Sequence, residues 1–320
     1  MNKILVTGAS GQIGSELIPA LRDKYGSDNV IASVHESHLL DEVELTGPSV
    51  TLDVTDKKQI EDIVSTTQPD TIFHLASVLS ALAEEDRQLA YKVNFEALYT
   101  ILETSVKYGV EKVIIPSSIG AFGLDTPAIA PNDTLQRPNT IYGISKVLGE
   151  LLGNYYYSKA GLDVRGVRLP GVLSLKVEPT AGTTDYAVAI FYGALISGKY
   201  VCYLRDDTKL PMMYMPDAVN SLILLSEADG SKLQHRSDFN VAAISFTPAE
   251  LASAITKRLP NFKMEYTIDP MRQAIADSWP DELIDDVAKA EWGWNHKFGL
   301  DEIVDDMIEK LSIKLQNKIS

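Results

Sequence analysis

The stretch "ILVTGASGQIGSEL" constrains this chain more than any other. A β-branched run ends near Val6, glycines follow at Gly8, Gly11 and Gly14, and an amphipathic helical pattern begins at once. Glycine permits the tight turn and the close approach of a ligand to the main chain. The helix start then offers free N–H groups and the positive end of its dipole, which suits the pyrophosphate of a dinucleotide. The spacing is G-x-x-G-x-x-G, where the commonest fingerprint is G-x-G-x-x-G. Gln12 and Ile13 lie inside the turn and join the three glycines as expected cofactor-binding residues.

Such a turn carries weight as the first step of a βαβ series, and the series is present. Strand-like runs at Lys3–Val6, Val30–Val34, Val50–Asp53, Thr71–Leu75, Lys112–Pro116 and Val164–Arg168 alternate with amphipathic segments at Gln12–Tyr25, Asp56–Thr66, Asp86–Tyr108 and Tyr142–Lys159. Asp56 and Gln59 have the spacing of a capping box. The order predicts an α/β fold, a Rossmann-type doubly wound parallel sheet. After about Leu173 the pattern loosens. Thr247, Pro248 and Glu250 open a helix reaching about Arg258, a second one places Ile303, Met307 and Leu311 on one apolar stripe, and Tyr186 to about Ser197 reads as a third. The expected division is a cofactor-binding domain over residues 1–173 and a smaller C-terminal substrate lobe over 174–320, from which the chain can cross back to the sheet.

Composition narrows the partners. The chain has 320 residues and a formal net charge of −15, which disfavours nucleic acid and anionic membrane and favours a small-molecule substrate. Its one cysteine, Cys202, excludes an intrachain disulfide and a multi-cysteine zinc site, and sits in an apolar stretch that reads as core. His35, His38, His74, His235 and His296 are scattered, so no metal is expected. No apolar run approaches the roughly 18 residues of a membrane span, and the start does not resemble an export signal, so the cytoplasm is the expected location.

The second strand raises a question about the cofactor. An acidic residue that grips the adenosine ribose is expected about 20 positions beyond the glycines, where Val34 stands. The next acid, Glu36, reads equally as a ribose contact or an exposed loop residue. No Lys or Arg lies between Lys24 and Lys57, while Glu36, Asp41, Glu42 and Glu44 would repel a 2′-phosphate, so NAD is favoured over NADP. Asp53 and Val54, at the end of the third strand, are placed at the adenine, with a turn-capping role for Asp53 as the alternative.

The chemistry is carried by "KVIIPSSIGAFG" and "NTIYGISKVLGE". The first ends a buried strand with Ser117 and Ser118, facing the crevice where open α/β sheets hold ligands. The second sets Tyr142 and Lys146 four apart on one helix face. A tyrosine with the ordinary pKa near 10 is a poor base at neutral pH, and a neighbouring ammonium favours its phenolate. Ser118, Tyr142 and Lys146 behind a glycine-rich loop resemble the extended short-chain dehydrogenase/reductase family over nearly the whole chain. The resemblance implies Tyr142 as the base at a substrate hydroxyl, Ser118 orienting the same oxygen, and Lys146 also holding the nicotinamide ribose. It further implies cofactor contacts from Leu75, Ala76 and Ser77 in "FHLAS", from Asn94, and from Pro170 in "RLPG". Asn94 and Pro170 read equally as structural residues.

Family members acting on nucleotide sugars carry a basic residue where this chain has Leu210 in "LPMMYMPDA". That stretch, with "PSSIGAFG", "TAGTTDYAVAIFY", "SFTPAEL" and "IADSWP", is instead similar to the threonine-oxidising members of the family. This implies oxidation of the β-hydroxyl of L-threonine with NAD, giving 2-amino-3-oxobutyrate. An amino acid needs a carboxylate for its ammonium and donors for its carboxylate, and Asp185 with Thr183 and Thr184 offers both. Ser80, with Ser118 and Tyr142, completes the expected substrate set. The alternative for "TTD" is a cap on the helix that follows. Nucleotide-sugar epimerisation or dehydration is the competing activity, and a homodimer through the helices at Asp86–Tyr108 and Tyr142–Lys159 is implied.

Overall fold

The computed structural model describes residues 1–179 and 182–317. The first half runs β1 (Ile4–Thr7), α1 (Gly14–Tyr25), β2 (Val30–Val34), α2 (Asp41–Glu44), β3 (Ser49–Thr51), α3 (Lys57–Thr67), β4 (Thr71–His74), α4 (Ser80–Glu85), α5 (Arg87–Tyr91), α6 (Ala97–Tyr108), β5 (Lys112–Ile114), β6 (Ser117–Ser118), β7 (Ile129–Ala130), α7 (Ile141–Ala160), β8 (Asp163–Arg165), β9 (Val167–Leu169) and β10 (Gly171–Leu173). There follow α8 (Tyr186–Ile196), β11 (Lys199–Cys202), β12 (Leu210–Tyr214), α9 (Met215–Glu227), β13 (Phe239–Asn240), β14 (Ile244–Phe246), α10 (Pro248–Arg258), β15 (Lys263–Tyr266), α11 (Pro270–Ala276), β16 (Glu282–Leu283), α12 (Asp286–Trp292) and α13 (Leu300–Asn317).

Six parallel strands form the central sheet in the order β3-β2-β1-β4-β5-β8, the doubly wound arrangement expected from the sequence. Both faces are covered, which is why every residue of β1 and β4 is buried, the polar Thr7, Thr71 and His74 included. Side chains alternate along a strand. Ile4 and Val6 therefore join Leu17 and Leu21 of α1 on one face, while Leu5 meets Ile60, Val64 and Leu102 of α3 and α6 on the other. Leu222 and Leu225 of α9 belong to the first of these layers.

Local differences from the sequence reading have identifiable causes. The run Val164–Arg168 is not one strand but divides at Gly166, whose N–H donates to the Arg236 carbonyl at 2.8 Å. β8 stays in the central sheet, and β9 joins a separate parallel sheet in the order β13-β9-β6. The run Lys112–Pro116 likewise stops at Ile114, since Pro116 has no N–H to continue a ladder. The helix expected over Asp86–Tyr108 contains a π-helical turn at Lys92–Glu96. Asp56 caps α3, but the Gln59 side chain accepts from the Asp53 amide at 3.0 Å rather than from that of Asp56, so the capping box is incomplete. Thr247 and Glu250 make a complete one. Ile303, Met307 and Leu311 are fully buried against α8 and α10, as their stripe requires. Among the described residues no helix is long and apolar enough to cross a membrane.

Candidate active site

A cleft of about 1230 Å³, counting its open mouth, lies at the carboxyl ends of β1, β4 and β6, between α7 and the segment 182–185. Its floor comes from the glycine turn. Gly8 has φ +70°, and a Cβ there would stand 2.7 Å from the Ala76 amide nitrogen. The turn after β1 thus packs directly on the loop after β4, a closeness only glycine allows. Gln12, Ile13, Leu75, Ala76 and Ser77 line the cleft above this junction. The Thr7 hydroxyl fastens the two strand ends, accepting from the amides of Leu75 at 3.2 Å and Ala76 at 3.3 Å and lying 2.8 Å from His74 Nδ1. Its own proton is then available to Nδ1, which leaves the His74 proton on Nε2. Burial first, and the Lys146 ammonium second, lower the His74 pKa to about 4, so the ring is neutral at neutral pH.

The π turn directs Asn94 into the same region. Its side chain accepts from the Val78 amide at 2.8 Å and the Ser77 hydroxyl at 3.2 Å and donates to the Val78 carbonyl at 2.9 Å. Short π segments often occur at functional sites for this reason.

α7 supplies the opposite wall. Thr140 caps it by accepting from the Gly143 amide at 3.0 Å, and Glu84 of α4 accepts from the Ile141 amide at 2.8 Å. Tyr142 and Lys146 both face the cleft, with the Lys146 ammonium 5.1 Å from the Tyr142 ring centre and donating to the Pro116 carbonyl at 3.0 Å. Ser118 faces it from β6, its Oγ accepting from the Gly120 amide at 3.1 Å. A Cβ on Gly120 would come within 3.0 Å of the Tyr142 ring, so the phenol lies against bare backbone.

Ser80, Thr183, Thr184 and Asp185 enter the cleft, and so does Pro170. Thr183 is 1% exposed and its Oγ1 has no hydrogen-bond partner, an arrangement that favours a ligand able to supply one. Asp185 does not cap α8: its backbone is helical and no side-chain cap bond forms, so the capping reading of "TTD" is replaced by orientation into the cleft. Asp53 and Val54 lie outside the cleft, at the end of β3. Asp53 Oδ1 accepts from the Thr55 amide and hydroxyl, both at 2.8 Å, and Oδ2 lies 3.8 Å from His35 Nε2. Arg22 comes close to the loop after β2, yet its guanidinium is spent inward, on the carbonyls of Val30, Val43 and Pro48 and the Thr46 hydroxyl. Among the described residues no group of three or more His, Cys, Asp or Glu could hold a metal ion.

Among the cleft residues that escaped the sequence reading as site residues are His74, Glu150 and Trp279. Glu150 had a readable signal, since it continues the step of four from Tyr142 through Lys146. Trp279, beyond α11, had none apart from its aromatic type.

The sequence profile of the NAD dependent epimerase/dehydratase family matches residues 4–242. An uncharacterised epimerase/dehydratase of Staphylococcus haemolyticus is 44% identical over 319 residues, covering 99% of this chain and 100% of the relative. Among solved structures, L-threonine dehydrogenase from Clostridium difficile is 50% identical with a TM-score of 0.95, covering 98% of each chain. The holo form of a GalE-like L-threonine dehydrogenase from Cupriavidus necator is 44% identical with a TM-score of 0.92, covering 97% of this chain and 99% of that one. The glycine turn, the amides at the start of α1 and the open cleft beyond them fit a dinucleotide, and the cofactor is NAD.

Proposed function

The chain belongs to the NAD dependent epimerase/dehydratase family of enzymes, and from that premise we propose that it is an L-threonine 3-dehydrogenase, oxidising the β-hydroxyl to give 2-amino-3-oxobutyrate. The observation that carries the reading is the sharing of one cleft by Asp185 and Thr183 on one side and Tyr142, Lys146 and Ser118 on the other. That pairs an amino-acid binding set with an alcohol-oxidising set. Likeness at 50% identity over nearly the whole chain to an L-threonine dehydrogenase supports the same reading.

When bound, NAD supplies the acceptor for the hydride that leaves the substrate carbon. Gly8, Gly11, Gln12, Ile13 and Gly14 would hold its pyrophosphate, Asp53 and Val54 its adenine, and Leu75, Ala76, Ser77, Asn94, Lys146 and Pro170 the remainder. Tyr142 removes the hydroxyl proton as general base, with the Lys146 ammonium 5.1 Å from its ring centre. The Pro116 carbonyl keeps the Lys146 ammonium at that station. Ser118 donates to the reacting oxygen and orients it. Asp185 receives the substrate ammonium, while Thr183, Thr184 and Ser80 offer hydroxyls to its carboxylate. His74, held neutral, avoids placing a second cation beside Lys146. Residues 1–173 would carry the cofactor and 174–320 close over the substrate. Exposed Tyr99, Leu151 and Tyr155 on α6 and α7 suit burial between two copies of the chain.

Nucleotide-sugar chemistry is the competing reading, and it lacks a counter-charge: Leu210, where sugar-nucleotide members carry a basic residue, is fully buried in β12. Tyr142→Phe tests the proposal. The variant should lose about 10²-fold or more in kcat for L-threonine while NAD affinity changes less than about twofold. Undiminished turnover in that variant removes Tyr142 as the base.

A further inference from the structure

Tyr142, Lys146 and Glu150 follow one another at steps of four along α7, and all three line the cleft. Glu150 is the buried one, 3% exposed. Its carboxylate accepts from Arg168 Nε at 2.9 Å and Nη2 at 2.8 Å, from Gln136 Nε2 at 2.7 Å and from the Ser117 hydroxyl. Arg168, also 3% exposed, uses Nη1 on the Asn132 carbonyl at 2.6 Å and Asn240 Oδ1 at 3.1 Å. A planar guanidinium and a carboxylate thus meet fork to fork out of water, with their remaining hydrogen-bonding positions occupied.

The pair joins the parts of the proposed catalytic apparatus. Ser117 precedes Ser118, Arg168 precedes Pro170 by two residues, and β6 pairs with β9 at Ser117 and Arg168. A bare carboxylate at Glu150, one helical turn from Lys146, would draw that ammonium along the helix and away from the phenol. With Arg168 in place the carboxylate is neutralised, and Lys146 donates to Pro116 beside Tyr142 instead. We propose that Glu150 and Arg168 are positioning residues: a closed buried ion pair that holds β6 and β9 to α7 and, by cancelling its own field, keeps the Lys146 ammonium committed to Tyr142. The inference rests on the reading of Tyr142 as the base.

The other charged groups around Tyr142 and Lys146 leave this role to the pair. His74 of β4 is neutral, Glu84 of α4 is bound to the Ile141 amide, and Asp185 faces them across the cleft. Arg87, Lys92, Glu96 and Glu103, on α5, the π turn and α6, are exposed, with Glu103 held by Tyr156. Asp163 and Arg165 of β8 pair with each other.

Single substitutions should act in opposite directions. Glu150→Gln leaves the Arg168 guanidinium of β9 uncompensated; with its charge taken at the position of the residue 150 side chain, about 12 Å of helix rise from Tyr142, an effective dielectric near 20 lowers the acidic limb of the pH–rate profile by about one pH unit. Arg168→Met leaves an uncompensated carboxylate and raises that limb. The combined variant, neutral at both positions, should return the limb to within about half a unit of the parent, because replacing both members of a buried pair removes the stranded charge. The ionisation is also read without substrate, as the tyrosinate absorbance that each background loses on Tyr142→Phe. Failure of threonine turnover would therefore defeat the activity reading and still leave the pair tested. A purely structural pair would lower the melting temperature without opposed shifts. An unmoved midpoint in either single variant, movement of both in one direction, or a combined variant no closer to the parent than the singles would each overturn the proposal.

Discussion

Gly8 and Gly109 have nearly the same backbone, φ +70° and φ +72°, but different surroundings. A Cβ at Gly109, the C-terminal cap of α6, would meet nothing within 4 Å. At Gly8 it would stand 2.7 Å from the Ala76 nitrogen and 2.9 Å from the Leu75 carbonyl carbon, both backbone atoms that cannot rotate aside. Alanine at either position bears the left-handed penalty of about 1–2 kcal/mol. Gly8→Ala adds a steric term of about 1–3 kcal/mol, relieved only by moving the glycine turn off β4. At about 2.1 cal/mol/K per residue, 320 residues give about 0.7 kcal/mol/K, so a 3–4 kcal/mol loss lowers the melting temperature by about 5 °C. Gly109→Ala should lower it by about 2 °C. The discriminating assay is NAD binding by calorimetry. Moving the turn misaligns the amides at the start of α1, and an affinity loss of about tenfold or more is expected for Gly8→Ala, corresponding to about 1.4 kcal/mol. Gly109→Ala should bind NAD as the parent does. Equal effects of the two substitutions on NAD affinity would refute the link between this junction and the cofactor.

His74 gives a pH signature. The unfolded chain takes up its proton near the ordinary 6.5 and the folded chain near 4, so the group is neutral in both states above pH 6.5 and penalises the fold increasingly as pH falls between those values. The full penalty is about 3 kcal/mol. His74→Asn, compared with the parent by urea unfolding across that range, should show the shallower acid loss, and identical slopes would contradict it. Lys176 spans Glu42 at 2.6 Å and Glu16 at 3.5 Å, fastening the chain after β10 to α2 and α1. Lys176→Met should raise the KM for substrate about two- to fivefold with kcat little changed, and high salt should narrow the gap by weakening the parent's bridge. A salt-independent difference would sink that explanation.

The sequence carried the central sheet because local signals and tertiary demand agree there: β1 and β4 are buried along their whole length, with Ile4, Leu5, Val6, Ile72 and Phe73 as their apolar residues. The same local logic misread Val164–Arg168, since nothing in "VRGVR" announces that the Gly166 amide will go to Arg236 and the ladder will change sheets. Tyr142 and Lys146 were legible as a helix spacing and Ser118 as a strand end, and all three line the cleft. Asp185 was readable as a polar residue before a helix, but whether its carboxylate turns back to cap or outward is a backbone question, decided by its helical φ and ψ. Glu150 could be found by periodicity. Its partner Arg168 could not, because pairing across α7, β6 and β9 is a product of the fold.

The most direct test of the account is NADH formation by the purified protein with L-threonine, run beside D-threonine, L-serine and UDP-glucose. NADH should form rapidly with L-threonine and fail to form in Tyr142→Phe, and the sugar nucleotide should remain unconverted. Conversion of UDP-glucose, with no NADH formed from L-threonine, would contradict it.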